Sequence, residues 1–135
     1  MGCTFALQRI FMIRHLETGD GWRLGWNPAA EVHCALLAGD RWSIELTAAE
    51  FKDFCRCARQ LNHTMEAMSA QLMDEERLTC EQETAYIWME ADGFPNAYSL
   101  RFILHAGRRA EGEWLPAQTD SLMQALSRPP FLSIE

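Results

Sequence analysis

Lysine is almost missing from this chain. Lys52 stands alone among twelve basic residues, and the other eleven are arginines. Nineteen acidic residues outweigh those twelve and leave a net charge of -7. That balance argues against tight, non-specific binding to a phosphate backbone, which depends on accumulated positive charge. It leaves room for a local basic patch. A C-x-x-C pair is also lacking. The five cysteines, Cys3, Cys34, Cys55, Cys57 and Cys80, are odd in number. Cys55 and Cys57 lie two apart in a helical pattern and point to nearly opposite sides, so they cannot share a tetrahedral metal. Free thiols in a reducing compartment follow, and with them a cytoplasmic location. No apolar run approaches the length of a membrane span.

Catalytic signatures are missing too. There is no G-x-S-x-G, no phosphate-cradling glycine loop and no dinucleotide fingerprint. His15, His33, His63 and His105 are scattered, with none at the i, i+4 spacing of a helical zinc pair. Asp74, Glu75, Glu76, Glu81 and Glu83 form an acidic cluster without the spacing of a calcium loop, so a solvated helix end is the expectation. His105 beside Arg101 could serve as a general base, but a surface strand residue is the plainer reading. The expectation is no enzyme, no metal and no cofactor.

What is present is an ordinary globular balance: 48% hydrophobic and 23% charged residues over 135 positions, enough for one core. Residues 1–11 read as a disordered extension. Arg9 and Arg14 interrupt their apolar run, and Ala6 stands where a myristoylation signal needs serine or threonine. Met12 reads as the start. Residues 12–128 form a single α+β domain, and 129–135 a loose tail.

Trp22, Leu24 and Trp26 alternate with Arg23 and Gly25, as in a half-buried strand ended by Asn27-Pro28. Val32–Leu37 reads as a second strand and Trp42–Leu46 as a third, with Trp42, Ile44 and Leu46 on one face. Thr47-Ala-Ala-Glu50 is a capping box. It opens a helix whose apolar stripe runs through Phe51, Phe54, Ala58, Leu61, Met65, Met68 and Leu72. At 1.5 Å per residue, a helix from Ala48 to Met73 would span about 39 Å. Its stripe either covers the sheet or reaches a second subunit at one end.

A fourth strand is expected over Leu78–Ala91 and a fifth over Ala97–His105, the latter with Tyr98, Leu100, Phe102 and Leu104 on one face. A short sixth follows over Arg109–Trp114. Pro116 then sits in the first turn of a weaker helix. The predicted fold is therefore α+β: an antiparallel, curved sheet in βββα-βββα order, with one long helix and a shorter C-terminal helix.

Five blocks carry a family resemblance: Gly21-Trp-Arg-Leu-Gly-Trp-Asn, Trp42-Ser-Ile-Glu-Leu-Thr-Ala-Ala-Glu-Phe, Leu72-Met-Asp-Glu-Glu-Arg, Ala97-Tyr-Ser-Leu-Arg-Phe-Ile-Leu and Gly107-Arg-Arg-Ala-Glu-Gly-Glu-Trp. Together they resemble a small cyanobacterial family known only as a domain of unknown function, DUF1818. The likeness runs from about Met12 to Arg128. It implies a fold similar to the Whirly-type single-stranded-DNA-binding regulators, but no activity, since a shared fold does not supply a function.

The candidate recognition surface is Arg23, Arg101, His105, Arg108, Arg109, Glu111 and Trp114. Arginine and tryptophan anchor protein interfaces, which points to a binding or adaptor module with an unknown protein partner or a second copy of itself. The alternative is single-stranded nucleic acid, held by arginines between aromatic platforms such as Trp22 and Trp26. Against that, an alternating strand puts both tryptophans opposite Arg23, where they would be core. Arg108 and Arg109 could equally pair with Glu111, Glu113, Glu81 or Glu83, at little gain in stability.

Overall fold

The computed structural model describes residues 14–71, 76–105, 107 and 109–134.

 Among the described residues the chain forms eight strands, two α-helices and a short 3-10 turn at Phe131–Ser133. Strands β1 (His15–Gly19), β2 (Trp22–Trp26), β3 (His33–Ala38) and β4 (Ser43–Thr47) make one antiparallel meander. Helix α1 (Ala48–Ser69) follows it. Strands β5 (Leu78–Glu83), β6 (Ile87–Phe94), β7 (Ala97–Leu104) and β8 (Glu111–Trp114) make a second meander, followed by helix α2 (Pro116–Leu126). The α+β class, the antiparallel pairing, the long helix and the shorter C-terminal helix are as the sequence predicts.

Three expectations need correction. One curved sheet was expected, and there are two of four strands each. The strand β1 was not expected, because its inward positions, facing Leu24 and Trp26 in register, are Glu17 and His15 rather than apolar residues. The expected strand over Leu78–Ala91 is a hairpin. Its turn is made by the Thr84 hydroxyl, which accepts the backbone N–H groups of Tyr86 (3.1 Å) and Ile87 (3.2 Å).

Helix α1 starts at the predicted cap. The Thr47 hydroxyl accepts the Glu50 N–H at 3.2 Å, and the Glu50 carboxylate accepts the Thr47 N–H at 2.9 Å. Its stripe of Phe51, Phe54, Ala58, Leu61 and Met65 is buried. The stripe lies over β5 and β6 as well as β3 and β4, so a helix launched from the first sheet covers the second. Helix α2 lies over β7 and touches β1. The helix ends at Ser69, short of the expected Met73; Leu72 and Met73 fall outside the described residues.

The two sheets meet where β4 and β8 come together, and the junction is aromatic. Trp42 packs on Trp114 with ring centroids 5.0 Å apart, and on Phe102 at 5.7 Å. Phe54 of α1 closes over Phe102 and Trp114 at 5.7 and 5.8 Å. Gly112 permits this approach, since a Cβ there would lie 2.5 Å from the Trp42 ring. The tail is also corrected. Phe131 is fully buried, against His15 and Phe51, and Ile134 is nearly so. Pro129-Pro130, as a helix stop, predicts looseness at 129–135, but a buried phenylalanine and the hydrogen bonds from Arg59 to backbone carbonyls fix the described part.

Candidate functional site

Strict alternation gives the second sheet two unlike faces. Ile87, Met89 and Ala91 of β6 point inward with Leu100, Phe102 and Leu104 of β7, and all are buried. The opposite positions are not covered by either helix. Register sorts them into rows. Glu83, Trp88, Ile103 and Glu111 stand side by side across the four strands. The next row is Glu81, Glu90, Arg101 and Glu113. Trp88 and Ile103, both half-buried, thus occupy the centre of the face, with glutamates on the flanking strands.

Arg101 does not lie flat towards its carboxylate neighbours. Its guanidinium sits over the Trp88 ring, 5.0 Å from the centroid. The Trp88 indole N–H donates to Glu81 at 3.2 Å. At one end of the face, His105 Nε2 lies 2.8 Å from Glu83. Beside it a shallow hollow is lined by Ile103, Leu104, His105, Arg109 and Glu111. Arg109 adopts a φ of 47°, a left-handed conformation uncommon for a non-glycine residue.

At the other end, Arg77 donates to Asp92 at 2.8 Å and Thr79 donates to it at 2.9 Å. These hydrogen bonds, Arg77's first, hold the Asp92 carboxyl below its ordinary range. The lowered value belongs to the folded state. Its stabilisation is therefore present above the ordinary carboxylate range and is lost as pH falls through the folded value. In an NMR titration, Arg77→Ala is expected to move the Asp92 midpoint upward. An unmoved midpoint would show that Arg77 is not its partner in solution.

The predicted recognition residues do not stay together. Arg101, His105, Arg109 and Glu111 lie on the outer face of the second sheet or at its end. Arg23 is exposed on the outer face of the first sheet. Arg108 lies outside the described residues. Trp114 is corrected outright: it is fully buried, and its indole N–H donates to the Ala38 carbonyl at 3.1 Å, tying β8 to the first sheet. Trp22 is likewise core, with its indole N–H on Ser121 at 3.0 Å, and Trp26 stacks on Phe51. Neither offers a free ring to a base. Trp88 is not among the residues that sequence reasoning marks for the site. The signal was there: a tryptophan in phase with Glu90 and out of phase with the core.

Among the described residues, no three His, Cys, Asp or Glu side chains come together as a metal site would require. The four described cysteines, Cys34, Cys55, Cys57 and Cys80, form no disulfide. Burial pushes the Cys57 thiol up, which keeps it protonated and poorly nucleophilic. No helix among the described residues is long and apolar enough to cross a membrane.

A family model for a domain of unknown function, DUF1818, matches residues 17–128, most of the chain. The chain belongs to the DUF1818 family. No curated protein matches it. Among solved structures, this DUF1818 chain is similar to a protein of unknown function from Prochlorococcus sp. NATL2A, described as from the DUF155 family and solved at 1.80 Å. The two share 28% sequence identity and a TM-score of 0.78, over 83% of this chain and 95% of that one. The likeness supports the two-sheet architecture of this DUF1818 protein and brings no activity with it.

Proposed function

We propose that this protein is a non-catalytic, cytoplasmic interaction module that presents the outer face of its second sheet to another protein. The observation that carries the reading is the central pair Trp88 and Ile103, left uncovered by both helices and stiffened by Arg101 stacked on the indole. Tryptophan and arginine at the centre of a polar-rimmed patch are what protein interfaces use as anchors. His105 and Glu83, the nearest acid–base pair, sit exposed at the sheet end rather than in an enclosed cavity, which favours recognition over chemistry. Self-association through this face is disfavoured by like charge, so a homodimer would have to use another surface.

Kinship with the Whirly-type regulators and a cyanobacterial source belong to the same proposal. The Prochlorococcus relative is in keeping with the cyanobacterial source. Single-stranded nucleic acid is the competing partner. It is weakened by Trp22 and Trp114 being core, and by Arg101 standing between Glu90 and Glu113 in register. Light scattering with and without a mixed-sequence single-stranded oligonucleotide, at low and moderate salt, decides between them. The expected outcome is no gain in mass. A salt-sensitive gain would replace this reading with the nucleic-acid one, and the mass of the free protein gives its self-association directly.

A further inference from the structure

We propose that the outer face of the second sheet receives a cationic protein segment, with its lysine or arginine side chains seated among Glu81, Glu90 and Glu113. This rests on the interaction reading above and names the chemistry of the partner. Glu81 stands directly opposite Glu90 in the strand register. Like charges in directly opposed positions destabilise a sheet, so the fold gains nothing from this pair. Arg101, the one cation in that row, is turned over Trp88. Among the described residues, Glu90, Glu111 and Glu113 have no ion-pair partner.

Two other carboxylates already have partners on the face, Asp92 in Arg77 and Glu83 in His105. Four glutamates then remain on the strands against one guanidinium. A flat sheet face of that charge repels phosphate and lacks the enclosure that a small cation would need. It suits an extended basic segment, whose alkyl stems would cover Trp88 and Ile103 while the charged ends meet the glutamates. The net charge of -7 adds long-range steering of a basic partner.

The test is fluorescence anisotropy of a dye-labelled, alternating lysine–serine peptide titrated with the full chain at low and moderate salt. Because any acidic protein attracts a polycation, the comparison is between two variants of equal charge. Glu90→Gln with Glu113→Gln removes two carboxylates from the face. Asp20→Asn with Glu31→Gln removes two exposed carboxylates from the loops of the first sheet. The face variant is expected to bind about tenfold more weakly, from two lost charge contacts, and the loop variant about as well as the parent protein. Equal weakening in both would reduce the effect to net charge and overturn the proposal. So would an absence of binding at low salt, which would leave the interaction reading itself to be judged by the light-scattering result. All four substituted residues are exposed or half-buried on the surface, and circular dichroism confirms that each variant is folded before it is titrated.

Discussion

Trp114→Ala is expected to lose about 3–5 kcal/mol of stability, as large-to-small changes of buried aromatics do. That is a large fraction of the roughly 5–15 kcal/mol that holds a domain of this kind together. Trp114 is fully buried and meets Trp42 just before β4, Phe54 of helix α1 and Phe102 of β7. Its removal opens a cavity where all three layers touch, and Gly112, the neighbour on the same face, has no side chain with which to fill it. The change also strips a donor from the Ala38 carbonyl. Trp114→Phe separates the two effects: it keeps most of the ring and loses the hydrogen bond, which is worth about 1 kcal/mol. Urea denaturation reads both. The midpoint should fall much further for alanine than for phenylalanine, with a similar slope. A loss under about 1 kcal/mol for Trp114→Ala would mean that the sheet junction is not where the fold is held.

The same residue shows what the sequence could and could not tell. Alternation in Glu111-Gly-Glu-Trp114 was legible, and so was the fact that Trp114 and Gly112 share a face opposite two glutamates. Reading Trp114 as a surface anchor set its chemistry above its phase, and phase was the better guide. Phase also identified the inward positions of β7, Tyr98, Leu100, Phe102 and Leu104. The capping box at Thr47 was legible because its two hydrogen bonds join residues three apart. The β5–β6 turn was not, because it contains no glycine, proline or asparagine and is made by one threonine hydroxyl. The strand β1 was missed because a partly exposed edge strand with His15 and Glu17 facing inward carries no apolar rhythm. The division into two sheets was out of reach, since it depends on α1 crossing from the first sheet to the second, a contact between distant residues. For the candidate site, Arg101, His105 and Glu111 were legible as polar and charged residues of one strand-and-turn segment; the rows of glutamate around them emerge only from cross-strand register.

Arg59→Ala is expected to release the C-terminal segment and to lose about 2–3 kcal/mol, the range for hydrogen bonds to a charged group together with carbonyls left unsatisfied. The Arg59 guanidinium donates to the carbonyls of Leu126 at 3.0 Å, Phe131 at 3.4 Å and Ile134 at 3.2 Å. One fixed, planar donor group therefore closes the end of α2 and holds the turn after it. Those bonds keep Phe131 seated against His15 and Phe51. Without them the segment must hold Phe131 in the core by apolar contact alone, against the entropy of a chain end. Lysine in place of arginine keeps the charge but not the fork, so Arg59→Lys should recover only part of the loss. Hydrogen exchange distinguishes local release from general weakening. Protection should drop first at Leu132, Ser133 and Ile134, whose backbone N–H groups bond within this segment and to Arg128, while the amides of β6 and β7 keep theirs until global unfolding. Unchanged protection at those three amides in Arg59→Ala would show that Phe131 alone anchors the chain end.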